Sequence, residues 1–172
     1  VVTMTVRAPE TLPPIDIEAI LAQGAAFWPL AFARDLDDAI LHLRANEPAL
    51  GVWVLRSEGD IDAAATADRA LFDNADHWFA RETALYLKRV LKRLDVSSRS
   101  LIALIEPGSC FAGTLLELVL AADQSYMLDG AFEDSNAPPA VLRPTALNFG
   151  MLPMGNGLTR LQSRFLDDAE SV

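Results

Sequence analysis

The most informative segment of the chain reads Ser100-Leu-Ile-Ala-Leu-Ile-Glu-Pro-Gly-Ser-Cys-Phe-Ala-Gly-Thr-Leu-Leu-Glu-Leu-Val-Leu-Ala-Ala-Asp123. Its apolar run over residues 101–105 predicts a buried strand, which ends at the Pro107-Gly108 turn. Gly113 and Thr114 come next, ahead of an apolar helix that carries one acidic residue, Glu117. A strand, a glycine turn and a helix N-terminus together form a device that holds an anion with backbone N–H groups.

On both sides of this stretch, short apolar strands alternate with amphipathic helices. We predict strands at 1–7, 51–55, 101–105 and 124–128, and helices at about 27–43, 61–72, 77–94, 115–122 and 157–165. Asp60 is placed to cap the helix that begins at Ile61. Residues 129–139 are typical of an exposed loop. The alternation predicts an α/β fold, a sheet covered by helices, in a single domain over residues 1–172.

Composition excludes several classes of protein. With 172 residues, of which 51% are hydrophobic, the chain is able to bury a core, so disorder is not expected. The formal net charge of −10 argues against a nucleic-acid partner, because that partner needs a basic face. The apolar runs are too short to span a bilayer, so we expect no membrane contact. The single cysteine, Cys110, permits no internal disulfide and indicates a cytoplasmic protein.

Glu117 is the candidate for proton transfer at the glycine turn. Its neighbours from Leu115 to Leu120 are all apolar, and desolvation among them would raise the pKa of its carboxyl group. The N–H groups of Gly113 and Thr114 would then face an oxygen that gains charge. The alternative is structural: the acid is hydrogen-bonded or exposed, and the glycines serve only the turn.

Two motifs resemble the signatures of the crotonase (enoyl-CoA hydratase/isomerase) superfamily. The string Glu117-Leu-Val-Leu-Ala-Ala-Asp123 resembles its Glu-Leu-x-x-x-x-Asp motif. The string Leu147-Asn-Phe-Gly-Met-Leu-Pro153, followed by Gly155, Gly157, Thr159, Arg160 and Leu161, resembles its second signature. The order and spacing of the two motifs agree with the family. The resemblance implies a spiral of ββα units and a substrate carried as a coenzyme A thioester, with no covalently bound cofactor.

A closer resemblance is to the ring-opening lyases of aerobic benzoyl-CoA breakdown. It lies in Ile105-Glu-Pro-Gly-Ser-Cys-Phe-Ala-Gly-Thr114 and in Leu94-Asp-Val-Ser-Ser-Arg-Ser100, and it extends over roughly residues 27–165. Those carbon–carbon lyases open the oxygenated ring of a CoA-bound aromatic derivative and release formate. They consist of two crotonase-like halves, so the resemblance implies that this chain is the C-terminal half. The N-terminal half or a partner subunit would complete it, in a homo-oligomer.

The resemblance implies Glu117 as the acid/base and the N–H groups of Gly113 and Thr114 as oxyanion donors. The sequence departs from the family pattern in three places. The triple glycine reads Gly113-Thr114-Leu115, the second catalytic glutamate falls on Ala146, and the early loop over residues 56–60 is short. The family's C-terminal helices also have no counterpart before Val172, and the chain begins at Val1, as a fragment would. Two alternatives therefore stay open: a degenerate module with a scaffold or dimerisation role, and a generic enoyl-CoA hydratase/isomerase.

Other candidate groups are weaker. Lys88 and Arg89, on a helix with two further cations, would attract the phosphates of coenzyme A, or they would simply form a solvated face. Ser109 and Cys110 would need a nearby base to act as nucleophiles, and the only histidines lie on other predicted helices or at their edges. The spacing of the histidines and the cysteine predicts no metal site. The three tryptophans are expected in the core.

Overall fold

The computed structural model describes residues 1–130, 132 and 138–172. Its centre is a parallel sheet of four strands, β1 (Val2–Arg7), β2 (Val52–Glu58), β3 (Ser100–Ile105) and β4 (Gln124–Met127), which lie side by side in chain order. Parallel neighbours need a crossover connection, and helices supply it between successive strands. The four predicted strands are thus confirmed, and the α/β fold with them.

Six α-helices surround the described strands. They are α1 (Ile17–Gln23), α2 (Trp28–Ala45), α3 (Ile61–Phe72), α4 (Trp78–Asp95), α5 (Leu116–Ala121) and α6 (Arg160–Arg164). Short 3-10 helices cover Gly24–Ala26, Ala146–Phe149 and Ala169–Ser171. The Asp60 side chain accepts a hydrogen bond from the Asp62 N–H at 2.8 Å, which confirms the predicted cap of α3. Among the described helices, none is both long and apolar enough to cross a membrane.

One helix was not predicted, and the start of another differs from the prediction by three residues. Helix α1 was not predicted, although Asp16 caps it by accepting a hydrogen bond from Ala19 N–H at 2.9 Å. Pro9, Pro13 and Pro14 precede it, and a proline-rich segment is typical of an extended link rather than of a helix start. Helix α6 begins at Arg160 rather than near Gly157, because the Thr159 hydroxyl caps it by accepting a hydrogen bond from Gln162 N–H at 3.0 Å.

The core lies between the sheet and the two longest helices, α2 and α4. Helix α4 buries the predicted stripe of Leu87, Leu91 and Leu94, with Val90 beside it. Trp53, on the central strand β2, is fully buried. Trp78, however, is 60% exposed, so the prediction that it belongs to the core was wrong: it is the first residue of α4 and lies at the end of the helix.

The predicted loop over residues 129–139 lies only partly within the described residues. Its described members, Asp129, Gly130, Phe132, Pro138 and Pro139, are exposed. The remaining positions, 131 and 133–137, lie outside the described residues.

Candidate functional site

The strand, turn and helix predicted within residues 100–123 are all present. Strand β3 ends at Ile105, Gly108 takes a positive φ of 87° in the turn, and α5 begins at Leu116. The Asp123 carboxylate closes the unit by accepting a hydrogen bond from Leu101 N–H at 2.7 Å. The acid at the end of the first motif therefore fixes the start of β3 to the end of α5.

Both predicted oxyanion donors are already engaged within the chain. The Gly113 N–H donates to the Arg143 carbonyl oxygen at 3.1 Å. The Thr114 N–H donates to Oδ2 of Asp68 at 2.7 Å. The glycine turn thus forms, and the group that accepts the hydrogen bond of its Thr114 N–H is the carboxyl group of Asp68, from α3.

The early loop at the end of β2 is engaged in a similar way. The Gly59 N–H donates to the Gly108 carbonyl oxygen at 3.2 Å, so it joins the early loop to the Pro107-Gly108 turn. At the adjacent strand ends, Arg56 Nη2 lies 2.5 Å from Oε2 of Glu106, which is therefore paired rather than free in solvent. Residues 56–58 of the predicted loop thus belong to β2, and the Gly59 N–H that follows them already has an acceptor in the turn after β3.

Only glycine fits at position 113. Its φ is +47°, and a Cβ atom there would lie 1.9 Å from Oδ2 of Asp68 and 3.0 Å from Oγ1 of Thr145. Any side chain would have to displace the Asp68 carboxyl group from the Thr114 N–H. The glycine of the motif is therefore required by this close approach of α3.

Replacing Gly113 by alanine is expected to destabilise the fold by about 2 to 3 kcal/mol, from backbone strain and the lost Asp68–Thr114 contact. Chemical denaturation monitored by circular dichroism measures this change. Gly155→Ala is the matched control, because a Cβ atom at Gly155 meets no heavy atom within 4 Å. Equal midpoints for the two variants would contradict the assigned packing.

Glu117 lies in the interior with both carboxylate oxygens paired. The residue is 1% exposed. Its Oε1 accepts from Asn148 Nδ2 at 2.6 Å, and its Oε2 accepts from Arg160 Nη1 at 2.7 Å. Burial raises the pKa of Glu117, while the hydrogen bonds from Asn148 and Arg160 and the charge of Arg160 oppose the rise.

Arg160 links this acid to a second one on α4. Its guanidinium group is 1% exposed and contacts Asp95 through Nε at 2.9 Å and Nη2 at 2.7 Å. Asn148 Nδ2 also donates to the Gly113 carbonyl oxygen at 2.9 Å. The resulting buried network of Asp95, Arg160, Glu117 and Asn148 ties α4, α5, α6 and the 146–149 turn together. Arg160 and Asn148 belong to the second motif, but the sequence does not predict that they bind Glu117.

Asp68 is the site residue that sequence reasoning missed. It is 6% exposed, and burial raises its pKa to about 7; hydrogen bonds from Thr114 lower the pKa, and the charge of Glu117 raises it further. The sequence offers one indication of its burial. Asp68 lies four residues after Ala64 and three before Leu71, which places it on the same face of α3 as these two buried residues. Thr114 is 46 residues away in the sequence, so the spacing of residues along the chain does not predict the hydrogen bond between them.

A cleft opens beside Asp68, between α3 and the segment around the 146–149 turn. Its volume is about 400 Å³. It is lined by Ala65, Asp68, Arg69, Phe72, Asp73, Thr145, Ala146, Leu147 and Met151. Ala146, the position on which the family's second glutamate falls, thus lies at a cleft and contributes a methyl group there.

The remaining predicted site residues lie apart from this turn. Lys88 is half-buried on α4, and the exposed Arg89 places its guanidinium carbon 4.7 Å from the centre of the Tyr86 ring. Neither side chain forms a hydrogen bond or ion pair with Gly113, Thr114 or Glu117 among the contacts that the described residues make.

Ser109 and Cys110 make structural contacts. The Ser109 hydroxyl accepts from Glu106 N–H at 3.0 Å, and the Cys110 N–H donates to the Ser57 hydroxyl at 2.9 Å. Burial raises the pKa of the Cys110 thiol, which keeps it protonated and weakly nucleophilic. Within the described ranges, no three His, Cys, Asp or Glu residues are grouped so as to hold a metal ion.

Comparison with known proteins adds one relative. No model of a known protein family matches the chain. The chain is 54% identical over 171 residues to the benzoyl-CoA-dihydrodiol lyase of Aromatoleum evansii, a match that covers 99% of this chain and 30% of that lyase. The chain thus spans less than a third of the relative's length. Along its whole length the chain is therefore homologous to one part of benzoyl-CoA-dihydrodiol lyase, and its α/β fold is consistent with a crotonase-like module.

Proposed function

We propose that this chain is part of a benzoyl-CoA-dihydrodiol lyase-type enzyme, a carbon–carbon lyase that opens the oxygenated ring of a CoA-bound aromatic derivative and releases formate. The observation that carries the proposal is the 54% identity over 171 residues, which includes both motifs. In this proposal the chain is a single crotonase-like domain that belongs to the C-terminal crotonase-like part of the enzyme, about 30% of its length. The N-terminal half completes it, the substrate is an acyl-CoA, and the enzyme is a cytoplasmic homo-oligomer.

A chimera tests this function directly. The chain replaces its matching 171 residues in the Aromatoleum evansii lyase, and formate release from the dihydrodiol of benzoyl-CoA is measured. We expect formate release by the chimera and by the unaltered lyase, and none from benzoyl-CoA itself, which lacks the oxygenated ring. A chimera that is folded by circular dichroism but releases no formate would contradict the proposal.

The role of Glu117 within the enzyme is a separate question. The crotonase resemblance predicts an acid/base, with Gly113 and Thr114 as donors, and this stays a prediction. The contacts favour the scaffold role for this site: Glu117 has a cation on one oxygen and an amide on the other, and both N–H donors have acceptors. A carboxylate that is paired on both oxygens needs rearrangement before it can move a proton. Lys88 and Arg89 stay the predicted contacts for the coenzyme A phosphates.

Glu117→Gln in the chimera separates the two roles of Glu117. Glutamine keeps the size of the side chain but removes the charge that faces Arg160. For a scaffold role, we expect the variant to unfold at a lower temperature than the unaltered chimera. Its kcat, corrected for the folded fraction, should then stay within about threefold of that of the unaltered chimera. For an acid/base role, kcat falls by about 100-fold or more. Thermal unfolding gives the folded fraction, and formate release gives kcat.

A further inference from the structure

A groove lies at the amino ends of β2, β3 and β4, at the opposite end of β3 from the glycine turn. Its volume is about 650 Å³. Polar residues near the starts of β3 and β4 line it: Ser98, Arg99, Ser100, Asp123 and Gln124. The glycine turn follows the other end of β3, so the six residues of that strand, about 20 Å of extended chain, separate the two. The groove is therefore distinct from the site described above.

Arg99 is a cation in this groove without a carboxylate partner. None of the ion pairs that the described residues form includes it, although the chain has 24 acidic residues against 14 Lys and Arg residues. Its Nη1 donates to the Ser98 carbonyl oxygen at 3.2 Å. Its Nε is enclosed and has no hydrogen-bond partner in the described part of the chain. A half-buried guanidinium group therefore keeps most of its N–H donors unused beside the groove.

The backbone next to Arg99 is strained. Ser98 has a φ of 56°, the only positive value of a residue other than glycine in the described ranges. It lies in the short connection between the end of α4 and the start of β3. A residue with a side chain adopts this left-handed conformation at a cost in free energy, and such strain is concentrated at ligand sites. The connection thus holds Arg99 at the groove at the expense of local backbone strain.

We infer that this groove binds a small, singly charged carboxylate, and that the guanidinium group of Arg99 holds it through two parallel N–H···O bonds. A guanidinium fork matches the two oxygens of a carboxylate in spacing and charge. Nε makes no hydrogen bond that Arg99 would lose when its side chain turns into the groove. The exposed hydroxyl groups of Ser98 and Ser100, on either side of Arg99 in the chain, are further donors. The inference goes beyond the proposed lyase function and does not depend on it.

The charges that line the groove decide which anion it takes. Among the described lining residues, Arg99 is the one cation and Asp123 is the one anion. Asp123 is exposed, and its Oδ2 accepts a hydrogen bond from Leu101 N–H at 2.7 Å, which keeps the carboxylate in place at the groove. Its charge repels a second negative charge on the ligand. The groove therefore favours a singly charged carboxylate over a doubly charged anion.

Formate and sulfate are suitable probes, because formate is a singly charged carboxylate and sulfate is a dianion at neutral pH. The full chain labelled with ¹⁵N is titrated with each at constant ionic strength, with chloride as the ionic control. The Nε–H signal of Arg99 and the amide signals of Ser98 and Ser100 report binding. We expect saturable shifts with formate in the millimolar range, and binding of sulfate that is at least about fivefold weaker. Arg99→Met should abolish the saturable shifts, whereas Arg81→Met, which removes an exposed cation elsewhere on α4, should leave them unchanged.

Three results would overturn the inference. The first is a response to formate that is no larger than the response to chloride. The second is unchanged formate binding by Arg99→Met, and the third is sulfate binding as tight as that of formate. The amide spectrum of each variant shows whether it is folded. If Arg99→Met is misfolded, Gln124→Glu takes its place: it adds a negative charge at an exposed lining position, and formate affinity that does not fall would contradict the assigned site.

Discussion

Replacing Arg160 by methionine is expected to lower the free energy of unfolding by about 3 to 5 kcal/mol. Methionine is similar in length and apolar, so it fills most of the space but leaves Glu117 and Asp95 without their cation. Glu117 is then a buried acid with only the Asn148 amide as a partner. Removing one member of a buried ion pair costs far more than the pair itself contributes, because the other charge stays desolvated. Urea denaturation at neutral pH measures the change.

Two controls make this prediction specific. Arg81→Met removes a cation from an exposed pair with Glu82, whose atoms are 3.6 Å apart, and should cost under about 1 kcal/mol. The double variant Arg160→Met with Glu117→Gln should recover at least about 1 kcal/mol relative to the sum of the single changes, because the uncompensated charge of Glu117 is gone and only that of Asp95 stays. Additive losses in the double variant would show that Glu117 and Arg160 do not depend on one another.

Asp68→Asn is expected to stabilise the chain at pH 8 by up to about 4 kcal/mol and to have little effect near pH 4. The ordinary pKa of 3.8 applies to the unfolded chain, and burial raises the pKa of the folded chain to about 7. Between these values the folded state binds more protons than the unfolded state. The contribution of Asp68 to the free energy of unfolding is therefore fully present below about pH 4. It is lost as the pH rises through about 7, because folding then requires a buried charge at Asp68.

The measurement is the free energy of unfolding of both proteins at several pH values between 4 and 8. The difference between Asp68→Asn and the unaltered chain should grow with pH and level off above about pH 7. Asp73→Asn is the matched control, because Asp73 directly follows the same helix and 65% of its side chain is exposed. A difference that is constant from pH 4 to pH 8 would exclude a raised pKa at Asp68.

The secondary structure was largely predictable because it depends on local patterns. Helix α3 begins and ends at the predicted residues, where Asp60 caps an alanine-rich apolar face. Strand β3 follows from a continuous apolar run, which is typical of a strand buried on both faces in a parallel sheet. The burial of Trp78 was mispredicted because the size and hydrophobicity of a side chain do not show whether another element covers it. Helix α1 was missed because the prolines before it are typical of an extended link.

The candidate site was predictable only in part. The turn of Gly113 and Thr114, and the burial of Glu117, follow from the local sequence, and the raised pKa of Glu117 has the expected cause. The partners do not follow from the sequence. Arg160 is 43 residues from Glu117 and 65 from Asp95, and Asp68 is 46 from Thr114. Hydrophobic periodicity shows which face of a helix is buried, but not which polar group meets it there.

The strand–turn–helix unit, the α/β fold and the relationship to one part of a lyase follow from the sequence alone, because apolar runs, helix caps and motifs are local features of the chain. The partners of the glycine turn follow only from the packing of distant elements. Helix α3 crosses the turn closely enough that a carboxyl group reaches the Thr114 N–H, and Arg160 reaches Glu117 from the far end of the chain. Buried donors and acids need partners, and packing chooses them from residues that are distant in sequence.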